Sequence, residues 1–284
     1  MDRNKTLHPR NKHNKGYSFD LLIKASPSLK SFVSLNKFGN ESINFSNPRA
    51  VKELNRALLK YHYGIKYWNF PDENLCPPIP GRVDYIHHLN DLINKDNAKV
   101  LDIGTGASCI YALLGVSEYN WKFVASDINK NALVSAQKII DKNKLNKSVE
   151  LRFQKNENHI LKNIIRENDS FDAMMCNPPF FGSAKEAKGA NSRKSRNLGN
   201  NTLRNFSGNN NELWYKGGEK AFLHTYLYES SLFQEVSTWF TSLVSKKDNV
   251  HTLEASANKL GATAFKVIPM EQGNKVTRIV AWKF

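Results

Sequence analysis

Between residues 99 and 176, four short apolar runs alternate with longer segments of helical periodicity, and this rhythm constrains the fold more than any other feature. "KVLDIG", "WKFVASDI", "VELRFQ" and "FDAMMCNP" read as buried strands. "ASCIYALLG" begins a helix ending near Gly115, and "NKNALVSAQKIIDKNKL" sets Ala132, Ala136, Ile139 and Ile140 on one stripe. "NHILKNIIREN" reads as a third helix. The alternation predicts an α/β fold with a mostly parallel, doubly wound sheet.

The flanks of this block read differently. Downstream, "EKAFLHTYLYESSLF" predicts a helix, "STWFTSLVS" a strand and "NVHTLEASANKLG" a helix. "TAFKVIPM" and "KVTRIVAWKF" meet at "EQGN" and predict a C-terminal antiparallel hairpin. Upstream, Asn47 and Pro48 supply the cap and first position of a helix that Gly64 ends, with Val51, Leu54, Leu58 and Leu59 on its apolar face. A second helix carries Val83, Ile86, Leu89 and Ile93 on one stripe. His87 and His88 lie about 100° apart on it, so they cannot jointly chelate a metal and read as structural or surface histidines. The expected units are a basic arm at 1–30, a helical extension at 31–95, and an α/β domain at 96–284 with a mobile basic loop at 183–217.

Charge narrows the class of partner. The net charge is +15, and residues 1–30 carry seven Lys or Arg against two acids while residues 183–220 carry eight against three. Concentration in two segments points to a polyanion, and nucleic acid is the expected one. No run approaches 18 apolar residues, so no membrane span is expected. Cys76, Cys109 and Cys176 are scattered, which fits reduced thiols in a cytoplasm and predicts no metal site.

Two motifs carry chemistry. In "VLDIGTGAS", Gly104 and Gly106 permit a tight turn and close approach of a ligand, between a strand and a helix. Cys109 stands where a dinucleotide fingerprint has its third glycine, which disfavours a pyrophosphate. Asp127, 23 residues after Gly104, ends the next strand and can accept two ribose hydroxyls. Asp102 either holds the glycine turn or faces a cofactor ammonium through water. A nucleoside without pyrophosphate suggests S-adenosyl-L-methionine.

The second motif is "CNPPFF". Methyl transfer to an exocyclic amine must overcome delocalisation of the nitrogen lone pair into the ring. Two fixed acceptors favour a pyramidal nitrogen, and the Asn177 side-chain oxygen and the Pro178 carbonyl can supply them. Pro178 and Pro179 freeze φ at consecutive residues, and an aromatic ring follows to stack on a base. The plainer alternative is a strand terminator followed by core phenylalanines.

These motifs resemble a known family. "CNPPF" is similar to the (D/N/S)PP(Y/F) motif of amino-methyltransferases. "LHPRNKH", "NFSNPRAVKELNRALL", "LCPPIPGRVDYIHHLNDLI", "LDIGTGASCIYALLG", "EAKGANSR" and "KVTRIVAWKF" look like the bacterial 23S ribosomal RNA adenine-N6 methyltransferases. They also resemble the related eukaryotic enzymes that modify a spliceosomal small nuclear RNA. The resemblance runs from about residue 7 to the C-terminus.

It implies a Rossmann-like class I S-adenosylmethionine-dependent methyltransferase fold acting on 23S ribosomal RNA or a large-subunit assembly intermediate; the expected form is a cytoplasmic monomer without metal. By the resemblance, Asn177, Pro178, Pro179 and Phe180 form the catalytic tetrapeptide, and Phe181 matches the eukaryotic relatives. Gly104, Gly106 and Asp127 match the cofactor site, to which Asp102 and Asn177 also belong. Arg82 matches an arginine that holds the methionine carboxylate, although without the family it reads as a helix-start arginine in solvent. Asn156 matches a contact to the adenine end. Lys5, Arg10, Lys12 and Lys15 of the arm, and Lys185, Lys188, Arg193, Lys194 and Arg196 of the loop, are the expected phosphate contacts. The competing readings are a protein glutamine N5-methyltransferase, a catalytically inactive RNA-binding protein, and a nicotinamide oxidoreductase.

Overall fold

The computed structural model describes residues 7–179, 181–183, 186, 214–272 and 275–284. Seven strands form its main sheet: β3 (Lys99–Ile103), β4 (Lys122–Asp127), β5 (Val149–Phe153), β6 (Phe171–Cys176), β7 (Ser237–Val244), β8 (Ala264–Gln272) and β9 (Lys275–Lys283). Their spatial order is β5-β4-β3-β6-β7-β9-β8. The first five run parallel to one another, and β9 inserts antiparallel between β7 and β8. The predicted parallel sheet and terminal hairpin are both present. The chain reverses direction in sheet order between β3 and β6, which creates the crevice where such folds bind ligands.

Alternate residues of each strand feed two different cores. Val100, Ala125, Ala173, Met175, Ile279 and Ala281 face one, while Leu101, Val124, Met174, Phe240, Val280 and Trp282 face the other. The first is covered by α1 (Phe19–Ala25), α2 (Pro48–Tyr63), α3 (Ile79–Ile93), α4 (Ile110–Tyr119) and α5 (Lys130–Lys142). The second is covered by α6 (Gly218–Leu232), α7 (Lys247–Lys259) and the segment 160–164. Burial of both faces explains why the strands read as continuous apolar runs. Each fully buried Leu or Ile contributes about 1.5–3 kcal/mol to such a core.

Local signals explain the N-terminal helices. The Asn47 side chain accepts from Arg49 N and Ala50 N, Pro48 opens α2, and Gly64 ends it in the left-handed region at φ 67°. Tyr85 of α3 reaches through to β7, its hydroxyl 2.8 Å from Thr241 Oγ1.

Four expectations are corrected. Residues 7–32 are no free arm: Phe19, Leu22 and Leu29 are buried in the same core as the sheet, so the extension and the domain share one interior. A short hairpin follows that periodicity did not reveal, β1 (Val33–Leu35) paired with β2 (Glu41–Ile43). Helix α4 passes through Gly115 to Tyr119, because Trp121 and Phe123 fill the space a side chain would need; a Cβ at Gly115 would stand 2.5 Å from the Phe123 ring. "NHILKNIIREN" forms turns, not a helix. There the buried Glu229 carboxylate accepts from the backbone N–H of Ile160, Leu161 and Lys162 at 2.6–3.0 Å, and Asn163 adopts φ 68°. Of the basic loop 183–217, residues 184–185 and 187–213 lie outside the described residues.

Candidate active site

Strand register assembles the site. Ile103 stands beside Ser126 on one side and Cys176 on the other, and Asp127 stands beside Phe153. The loops leaving β3, β4, β5 and β6 therefore emerge together at the carboxyl edge of the sheet. Gly104, Gly106, Asp127, Asn156 and Asn177 share that edge.

The glycine loop is held by its neighbour strand. Gly104 N and Thr105 N both donate to Ser126 O, at 2.9 and 3.0 Å. Gly106 N donates to Asp127 Oδ2 at 2.8 Å, and Asn129 N donates to Oδ1 at 2.8 Å. Asp127 thus shapes the loop, while each of its oxygens keeps acceptor capacity for a diol. Burial raises its pKa. Gly104 lies at φ 76°, and a Cβ built there would meet nothing within 4 Å. Conformation requires the glycine, and the space above it is open.

Beneath and beside that space lie polar atoms with nothing to bond. Both carboxylate oxygens of Asp102, Thr105 Oγ1 and Asn177 Oδ1 are buried and lack a hydrogen-bond partner among the described residues. An unsatisfied buried group costs about 1–3 kcal/mol, more when charged, so such clustering marks a place for a ligand. Asp102 is 1% exposed. Burial pushes its carboxyl up to about 7, the charge of Asp127 adds to the rise, and Thr105 and Arg82 offset part of it.

Arg82 comes to the same place from the first turn of α3. Its guanidinium donates to Tyr111 Oη at 2.9 Å and sits 5.5 Å from the Tyr111 ring centre. Tyr111 is buried, packs edge-on against Tyr85, and has its pKa pushed up to about 12, mainly by burial. Arg82 is therefore half-buried and oriented, unlike a helix-start arginine in solvent. Tyr111 itself escaped the sequence reading because it falls inside an apolar helix. Asn156, after β5, accepts from Asn158 N at 3.0 Å and donates its own N–H to Gln154 Oε1 at 3.0 Å.

On the other flank, Asn177 and the buried Pro178 leave β6, with Pro179 half-buried; Phe180 lies outside the described residues. Phe181 pairs with Trp214 in an isolated parallel bridge, and Tyr215 N donates to Phe181 O at 3.0 Å. Gly218 then packs against Gly182. The ends of the 182–213 excursion are tied together beside the tetrapeptide.

The expected phosphate contacts divide. Arg10 pairs with Asp91, donates to His87 O at 3.1 Å and lies over Tyr119. Lys12 pairs with Glu118 and lies over Tyr63. Both contacts fasten residues 7–17 to the body, while the two basic side chains stay partly exposed. Lys15 is exposed with no ion pair among the described residues. Lys5, Lys185, Lys188, Arg193, Lys194 and Arg196 lie outside them. Among the described residues no group of three or more His, Cys, Asp or Glu could hold a metal, and no helix is long and apolar enough to cross a membrane.

Comparison with known proteins agrees in sequence and in shape. A family model described as RNA methyltransferase matches residues 1–284. Ribosomal RNA large subunit methyltransferase F of Pseudomonas entomophila is 48% identical over 98% of this chain and 93% of its own length. The protein of the same name from a Shewanella species is 50% identical, over 99% of this chain and 82% of its own. Among solved structures, the human METTL16 catalytic domain in complex with MAT2A 3′UTR hairpin 1 superposes with a TM-score of 0.86 at 31% identity, covering 98% of this chain and 96% of that one. The N-terminal domain of human METTL16 in complex with SAH gives 0.79 at 28% identity, covering 98% and 99%.

Proposed function

The chain belongs to the RNA methyltransferase family, and on that footing we propose that it methylates the N6 amine of one adenosine in large-subunit (23S) ribosomal RNA, with S-adenosyl-L-methionine as donor. The observation that carries the reading is Asn177 Oδ1 at the end of β6, buried and without a hydrogen-bond partner among the described residues, on the same edge as the open glycine loop. An acceptor left bare beside a cofactor cradle awaits an N–H donor.

Bound at the carboxyl edge, the cofactor supplies a methyl group activated by its sulfonium. Asp127 accepts from the ribose hydroxyls, and Gly104 leaves room for the nucleoside. Arg82, aimed by Tyr111, pairs with the methionine carboxylate, and Asp102 faces the ammonium. Asn156 lies toward the adenine end. Asn177 Oδ1 and the Pro178 carbonyl accept the two N–H bonds of the target amine, which turns its lone pair out of the ring. Pro178 and Pro179 hold both acceptors in place, so little reorganisation is required at the moment of transfer. Phe180 stacks on the base. The nitrogen is cationic after transfer, so its proton leaves without a strong base.

A duplexed base cannot reach such a pocket, and the adenosine must be unpaired or flipped. Lys5, Lys15 and the basic residues Lys185, Lys188, Arg193, Lys194 and Arg196 hold phosphates around it. The enzyme acts as a monomer in the cytoplasm, on free rRNA or an assembly intermediate.

The test is transfer of labelled methyl from S-adenosyl-L-methionine to unmodified large-subunit rRNA, followed by nucleoside digestion. Wild type is expected to yield N6-methyladenosine. Asn177→Ala is expected to lose about 10²–10³ in turnover. Cofactor binding without label in any rRNA, or label in protein glutamine instead, refutes the assignment.

A further inference from the structure

Several lysines and arginines of this basic chain are paired with acids of the fold, and the pattern of what remains is uneven. Arg10, Lys12, Lys52, Lys95, Lys99 and Arg152 all have carboxylate partners. Among the exposed lysines without such a partner, one set is concentrated in space. Residues 60–67 and 138–147 contain Lys60, Lys66, Lys138, Lys142, Lys144 and Lys147 against a single acid, Asp141. All six lysines are exposed, and none forms an ion pair among the described residues. Asp141 accepts from Gln137 Nε2 at 2.8 Å, a neutral donor that leaves its charge in place.

The two segments are pinned together by one side chain. Asn143 Oδ1 accepts from Lys66 N and Tyr67 N at 2.8 and 3.1 Å, and Asn143 Nδ2 donates to Tyr67 O and Ile139 O at 2.6 and 2.8 Å. Lys142 and Lys144 therefore flank the point where Lys66 arrives. Lys144 takes a left-handed conformation at φ 60°, turning the chain sharply just after α5. Lys138 and Lys142, four residues apart, share a helical face. Tyr61, 45% exposed, and the half-buried Tyr67 stand among them.

The location is informative. Helix α5 starts beside Asp127 at the cofactor edge and runs back along the sheet for 13 residues, about 20 Å. Lys142, Lys144 and Lys147 thus lie at the amino edge, opposite the active site. Six lysines against one aspartate leave a strong local excess of positive charge, whose repulsion a polyanion relieves by exchanging its condensed counterions for lysines.

We propose that this amino-edge cluster, centred on Lys66, Lys142 and Lys144, grips a second stretch of the RNA sugar–phosphate backbone, remote from the target adenosine. The proposal rests on the substrate being an RNA long enough to span both edges. It assigns the cluster to anchoring, with no part in cofactor binding or catalysis.

The experiment compares wild type with Lys66→Glu/Lys142→Glu/Lys144→Glu, and with the same three positions changed to Gln. A control reverses Lys259, Lys266 and Lys283, at the end of α7 and on the β8–β9 edge, away from both the cluster and the catalytic edge. Full-length unmodified large-subunit rRNA is titrated at several salt concentrations, and methyl transfer is followed at limiting and saturating RNA. The cluster variants are expected to bind on the order of tenfold more weakly at ~0.1 M salt, with a log–log salt slope shallower by about 2–3. Turnover at saturating RNA and cofactor affinity are expected to stay at wild-type levels, the latter also proving the fold.

An unchanged slope in the cluster variants overturns the proposal, as does an equal loss in the control, which would show that only net charge matters. Because binding is read separately from transfer, failure of wild type to methylate rRNA would refute the substrate assignment without deciding the anchor.

Discussion

At the scale of single residues, Asp102 links the site to pH. Its folded pKa of about 7 lies above the ordinary 3.8, so the folded protein binds its proton more tightly than the unfolded chain does. The stability this provides is complete below about pH 4 and is lost as pH rises to about 7. Asp102→Asn is therefore expected to raise the melting temperature of the cofactor-free protein at pH 8 while leaving it unchanged at pH 4. The cofactor has the opposite interest, because an ionised carboxylate suits an ammonium. Calorimetric affinity for S-adenosyl-L-methionine should strengthen between pH 6 and 7.5 in the wild type and stay flat in Asp102→Asn. A flat wild-type profile would remove Asp102 from the cofactor site. None of this is visible in "VLDIGTG", since burial of Asp102 depends on strands that flank β3 in space and not in sequence.

At the scale of elements, the segment 157–168 shows how a side chain can replace a helix. Ile160, Leu161 and Ile164 are buried as a helical stripe would bury them, yet the backbone donors that a helix would satisfy go to Glu229 of α6. Glu229→Ala leaves three donors bare and is expected to cost about 3 kcal/mol or more, measured by denaturant unfolding. A loss below 1 kcal/mol would show that water takes over.

The same comparison explains what was legible. Every strand of the main sheet, the caps of α2 and the terminal hairpin follow from local pattern and punctuation. The placement of Asn177, Asp127 and the glycine loop on one sheet edge was legible because each follows directly on a strand end. What escaped depends on contacts between distant segments: Glu229 with 160–162, Tyr111 under Arg82, Gly115 against Phe123, and Trp214 beside Phe181. Pattern reading sees one segment at a time, and these pairs span 8 to 69 positions.

At the scale of the whole molecule, net charge is a poor guide to where a polyanion binds, because paired and free charges count alike in a sum. Arg10 and Lys12, in the most basic-looking segment, act mainly within the fold. Arg10→Ala is expected to lower the melting temperature by roughly 2 °C, reflecting about 1 kcal/mol from the His87 carbonyl bond and a partly exposed ion pair. Its effect on the salt dependence of RNA binding should be negligible. A steeper loss of RNA affinity than of stability would return Arg10 to the interface.

The bridge between Phe181 and Trp214 bears on how such an enzyme can diversify. A chain that departs and returns at one stitched point is a cassette. A change of length between its ends is expected to leave the acceptor residues just upstream in position. New substrates would then be acquired by exchanging the insert, with the chemistry inherited unaltered.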